Sequence, residues 1–96
     1  MLTHVVLFKF KPETTAGEIQ QMAEGLGGLP QLIEEIREFR FGTDVLCTER
    51  SYDFALVSSF DDLVAMQRYQ VHPEHQEVLA FIKTIVSNVF AVDFAD

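Results

Sequence analysis

The chain reads as an α+β protein with the element order β-α-β-β-α-β, and three observations predict it. Two runs, Leu2 to Phe10 and Tyr52 to Phe60, are apolar on both of their alternating rows, as strands covered on both faces are. Two stretches, Ile19 to Leu26 and Val78 to Ile85, repeat apolar residues every three or four positions, the spacing of a one-sided helix. Breakers stand between these segments: Lys11-Pro12, Gly27-Gly28, the polar run Thr43 to Ser51, and His72-Pro73.

The first strand, Leu2 to Phe10, has the rows His4, Val6, Phe8, Phe10 and Thr3, Val5, Leu7, Lys9. Thr15 and Glu18 form a capping box, in which each side chain satisfies a free backbone N–H of the other's neighbourhood, so a helix starts there. Ile19, Met22, Ala23 and Leu26 give that helix its apolar face, Gly27-Gly28 ends it, and Pro30 to Glu35 adds a short turn. Ile36 to Val45 is the second strand, with Phe39 and Phe41 on one face and Gly42 marking a bulge or an end. Tyr52 to Phe60 is the third. Asp61 caps a helix that turns Leu63, Met66 and Tyr69 inward, and the chain restarts at His72-Pro73, where proline at the first helical position loses no hydrogen bond. Val78, Leu79, Ile82 and Ile85 form its inner face, and Val86 to Phe94 is the fourth strand. This order matches the ferredoxin-like split unit, a four-stranded antiparallel sheet with helices on one face, as one domain over 1–96.

Composition narrows the function. Hydrophobic residues make up 48% and the nine phenylalanines dominate the aromatics, so the chain has enough apolar surface to fold. A formal charge of −8 repels phosphate backbones and anionic bilayers, which argues against nucleic acid and membrane partners. Cys47 is the only cysteine and no stretch has the shape of a signal peptide or membrane span, so a cytoplasmic location is expected. No glycine-rich phosphate loop, nucleophile elbow or zinc spacing occurs, and no cofactor or metal is expected.

Helices cover only one face of such a sheet, so the other would expose Val6, Phe8, Phe39, Phe54 and Leu56 unless a second copy covers it. A homodimer with sheet facing sheet is expected, enclosing an interior between the two sheets or beside each. Those five residues, with His4 and His72, are the expected ligand-binding lining. The stretch Tyr69-Gln70-Val71-His72-Pro73-Glu74-His75 holds two of the three histidines beside a phenol. His75 falls in the first turn of its helix, where the dipole disfavours imidazolium and leaves a neutral imidazole suited to base chemistry. Tyr69 adds a phenolic hydrogen bond, and His4 can join from the sheet. The same residues fit structural roles, with His72 as a cap, His75 on the surface and Tyr69 in the core. From spacing alone the structural roles outweigh the chemical ones. A metal on His72 and His75 would need further donors, and Glu74 and Glu77 do not supply a zinc-type spacing.

Over nearly its whole length the chain resembles the stress-responsive dimeric A/B barrel (Dabb) family. The resemblance rests on His4-Val5-Val6-Leu7-Phe8-Lys9-Phe10-Lys11, Phe41-Gly42-Thr43-Asp44-Val45, Tyr52-Asp53-Phe54-Ala55-Leu56-Val57, the Tyr69 to His75 stretch and Val92-Asp93-Phe94. It implies a ferredoxin-like protomer paired into a barrel dimer. The family includes plant stress proteins and a plant cyclase that folds a linear polyketide without cofactors, and its Tyr-x-x-His-Pro-x-His motif assigns acid–base work to Tyr69 and His75. The cyclase has a cavity histidine where this chain has Phe54. Two functions follow as expectations: a homodimeric stress-response domain holding a small apolar or aromatic molecule, or a cofactor-independent lyase, cyclase or isomerase acting on a polyketide-like or lactone substrate.

Overall fold

The computed structural model describes residues 1–96 and places β1 (Leu2–Phe10) and β3 (Phe54–Phe60) at the centre of a four-stranded antiparallel sheet. β2 (Glu38–Thr43) and β4 (Val86–Ala95) form its edges, in the order β2-β3-β1-β4. The two strands with two apolar rows are therefore the two with neighbours on both sides, while the edges carry Glu38, Arg40 and Asp93. Four helices, α1 (Ala16–Gly27), α2 (Leu29–Leu32), α3 (Leu63–Val71) and α4 (Pro73–Ile85), complete the chain.

Register decides which row meets the helices. Pairing of Val6 with Leu56 and Phe8 with Phe54, and of Phe41 with Leu56, aligns these side chains on one face. That row is the core: Val6, Phe8, Phe54, Leu56 and Phe60 are buried together with Met22, Leu26, Met66, Tyr69, Ile82 and Ile85 from the helices. Phe39 packs against it, partly buried. The expectation that Val6, Phe8, Phe39, Phe54 and Leu56 form the uncovered face is thus reversed. The uncovered face is the other row, where Leu7, Phe90, Val92 and Phe94 are 39%, 58%, 64% and 46% exposed. The reason is the charge at its margins: Lys9, Glu38 and Arg40 alternate into this row and need water at the sheet's edge, whereas the row under the helices is almost wholly apolar.

Local signals hold with small shifts. The capping box forms, with Glu18 N–H donating to Thr15 Oγ1 at 3.2 Å and Thr15 N–H to Glu18 Oε1 at 2.9 Å. The cap of α3 is Asp62 rather than Asp61: its carboxylate accepts from Ala65 N–H at 2.8 Å, while Asp61 is engaged by the Arg37 guanidinium through two bonds of 2.8 Å. Moving the cap by one residue rotates Leu63 outward, 52% exposed, and Ala65, Met66 and Tyr69 inward. Gly42 sits in regular register opposite Ala55, and the irregularity lies at Lys9/Phe10 of β1. There the Asp53 carboxylate accepts the Phe10 N–H at 2.8 Å, giving the displaced donor a partner.

Thr15→Ala removes the cap of α1 without touching the sheet. It should lower stability by about 1 kcal/mol and the melting temperature by roughly 4–8 °C, measured by circular dichroism.

Candidate functional site

α3 ends and α4 begins at one residue, and the site follows from how that junction is tied. His72 N–H donates to Tyr69 O at 3.2 Å, closing α3, and His72 Nδ1 accepts from Glu74 N–H at 3.1 Å, capping α4. The backbone therefore turns without a loop, and His75 lies one turn into α4 directly beside the last turn of α3. The His75 Nδ1 atom is 3.0 Å from the Gln70 carbonyl. A carbonyl only accepts, so Nδ1 carries the proton and the neutral ring keeps its lone pair on Nε2.

The Tyr69 ring is the wedge between the layers. It is 1% exposed, and lies 4.9 Å from Phe60, 6.3 Å from Phe39 and 4.4 Å from the His75 ring, centroid to centroid. Phe39 buttresses the phenol from behind. His4 comes from β1, where it pairs across the strand with Asp93 of β4, and its Nδ1 contacts the Asp93 carboxylate.

These three side chains meet at a cleft of about 310 Å³ between β1 and β4 on one side and α4 on the other. Eleven of its fifteen lining residues are hydrophobic, among them Val6, Phe8, Leu56, Val78, Leu79 and Ile82. The Tyr69 hydroxyl and the second ring nitrogens of His4 and His75 take no protein partner. Since no buried side-chain polar atom is left without one, none of these three atoms is fully buried, and their residues line the cleft. An apolar chamber with three unsatisfied polar atoms has the make-up of a small-molecule site.

Burial favours the neutral forms of Tyr69 and His75. Burial pushes the Tyr69 phenol well above its ordinary range, so it stays a hydrogen-bond donor. Burial lowers the His75 imidazole below its ordinary value, the Gln70 carbonyl opposes this, and the charges of His4 and His72 add to the lowering. No three histidine, cysteine, aspartate or glutamate side chains cluster as a metal site requires.

Of the residues singled out in the sequence, Tyr69, His75, His4, Val6, Phe8 and Leu56 line the cleft. Phe39, Phe54 and His72 do not. Phe54 is held in an aromatic cluster with Phe8, Phe10 and Phe41, Phe39 supports Tyr69, and His72 is consumed as a cap. Gln70, Lys83, Val89 and Ala91 line the cleft and were not anticipated. For Val89 and Ala91 a signal existed: they alternate with the Phe90 and Val92 row and lie opposite Phe8 and Val6.

The fold and cleft define an α/β sandwich of the ferredoxin-like class with an apolar chamber under its last helix. Residues 2–96 match the stress responsive A/B barrel domain, and the chain belongs to that family. It is 28% identical over 93 residues to the stress-response A/B barrel domain-containing protein HS1 of Arabidopsis thaliana, covering 95% of this chain and 85% of that one. It is 32% identical over 93 residues to the uncharacterized protein SCO4036 of Streptomyces coelicolor, covering 95% and 96%. A crystal structure of a dimeric ferredoxin-like protein from Thermobifida fusca superposes with a TM-score of 0.91 at 33% identity, over 99% of this chain and 90% of that one.

The neutral His75 gives a pH test. In the unfolded chain an imidazole titrates near 6.5, and in the folded protein lower. Between the two values the unfolded chain holds more protons, so this contribution to stability is complete above 6.5 and is lost as pH falls through the folded value. Urea unfolding at pH 7.5 and pH 5 should show a smaller acid loss in His75→Gln than in wild type. Equal losses would contradict the assignment.

Proposed function

We propose that the protein is a homodimeric A/B barrel domain that binds a small apolar or aromatic molecule in the cleft between the sheet and α4. The supporting observation is the convergence of Tyr69, His75 and His4, each with an unpartnered polar atom, on an otherwise apolar chamber. In this reading the ligand's rings or alkyl chain lie along Val6, Phe8, Val78 and Ile82, and one oxygen accepts from Tyr69 and meets His75 Nε2.

The dimer reading rests on the uncovered sheet face. Leu7, Phe90, Val92 and Phe94 adjoin Val5 and Val57 there, a contiguous apolar surface too large to suit a lone small protein. The Thermobifida relative is described as dimeric. A shallow recess of about 560 Å³ on this face, between Leu7, Arg40, Tyr52 and Val57, would be filled by a second copy's side chains. Sheet packed on sheet leaves each protomer's cleft on its own outer side. Light scattering should give twice the 10.9 kDa protomer mass, and Val92→Asp should shift it toward one protomer. A wild-type monomer at micromolar concentration would sink the dimer.

A second reading is favoured by the His75 tautomer. With Nδ1–H held by Gln70 and Nε2 free, the imidazole can remove a proton from a carbon beside a carbonyl. The electron pair moves onto the carbonyl oxygen, the proton stays on Nε2, and the Tyr69 O–H donates to the new enolate. That is a cofactor-independent lyase, cyclase or isomerase acting on a polyketide-like or lactone substrate. Turnover of such substrates should fall by about 10²–10⁴-fold in His75→Ala if this step operates. Unchanged turnover in the variant would remove His75 from catalysis, and absence of wild-type turnover with retained binding would leave the binding reading alone.

A further inference from the structure

The chain has 15 acidic residues against 7 lysines and arginines, yet none of the fifteen residues lining the cleft is an aspartate or glutamate. The one full charge in that lining is Lys83. Lys9 pairs with Asp53, Arg37 with Asp61 and Arg68 with Glu35 away from the cleft, His4 of the lining holds Asp93 from the neighbouring strand, and Lys83 has no acidic partner. A lysine in the last turn of a helix also suits the helix dipole, which explains its charge but not the absence of carboxylates from the cleft lining.

From this we infer that the cleft selects apolar molecules carrying one anionic group, a carboxylate foremost, bound with the anion at Lys83 and a hydroxyl or carbonyl oxygen at Tyr69 and His75. The inference rests on the cleft being the binding site and adds the class of molecule it takes. Geometry sets the length. His75, Leu79 and Lys83 follow one another at four-residue intervals along the edge of α4 that borders the cleft, so Lys83 starts about 12 Å along the axis from His75. Between them stand Val78, Leu79 and Ile82, which offer no hydrogen bond. A fitting ligand therefore has two polar ends separated by an apolar span on the order of 10 Å.

Lys83 selects against the protein's own field. A formal charge of −8 repels anions in general, so any preference for a carboxylate over its neutral ester must come from a local cation. At a partly open mouth a single ammonium–carboxylate contact is modest, and a roughly three- to tenfold preference is expected.

The test uses 6-hydroxy-2-naphthoate and its methyl ester, a rigid fluorescent pair with a hydroxyl at one end and an acid or ester at the other. Both are titrated into the intact protein while the His75 and Tyr69 ring resonances are followed by NMR. Wild type should bind the acid three- to tenfold more tightly than the ester. Lys83→Gln should abolish that ratio with little change for the ester, Lys83→Arg should keep it, and added salt should shrink it. Equal wild-type affinities with shifts at His75 overturn the anion selection and leave the cleft intact. A ratio that survives in Lys83→Gln also overturns it, because the carboxylate then lies elsewhere. Failure of both probes to bind or to shift His75 and Tyr69 counts against the cleft itself.

Discussion

The structure depends on one register, Val6 opposite Leu56 and Phe8 opposite Phe54. A slip by one residue would turn His4, Val6 and Phe8 to the uncovered face and put Thr3, Val5 and Leu7 under the helices. The aromatic cluster of Phe8, Phe10, Phe41 and Phe54 forms only in the observed register, and its four rings pin the two central strands to each other and to β2. Everything at the site follows from that alignment. His4 faces α4, Asp93 of the neighbouring strand is brought opposite it, and Val89 and Ala91 become the chamber's floor.

The chamber exists because the helices do not seal the sheet completely. Tyr69 is driven between the layers by Phe60 and Phe39, and fills the end of the gap near α3. Beyond it Leu26 of α1 and the inner face of α4 border an apolar volume that stays open. The same wedge holds His75: its ring lies against the phenol, and the backbone carbonyl of Gln70 fixes the tautomer. A helix junction without a loop thus sets both the position and the proton of the imidazole. His72 supports this by capping α4 through Nδ1.

Much of the fold was legible because its signals are local. The capping box at Thr15 and Glu18, proline after His72 and the breakers at Lys11-Pro12 and Gly27-Gly28 act within a few residues, and each is found where the sequence puts it. The Tyr69–His75 pair was legible for the same reason, since both lie at one helix junction. What failed was the face assignment. With apolar residues on both rows of β1 and β3, alternation alone does not say which row the helices cover, and the placement of Phe39 and Phe54 as lining went wrong with it. The charged members Lys9, Glu38 and Arg40 of the opposite row were the available clue. Lys83 was hidden because nothing in its local sequence separates a lysine at a cleft mouth from one on a solvated helix end.

In the proposed function, small molecules enter the chamber under α4 and do not bind on the open face of the sheet. The most direct measurement is an NMR shift map of the protein titrated with 2-naphthol, a neutral aromatic phenol that needs no partner cation. Shifts should concentrate at Tyr69, His75, Val78 and Ile82, with Val57, Phe90 and Val92 unmoved. Shifts concentrated on Val57, Phe90 and Val92, with His75 and Tyr69 silent, would contradict it.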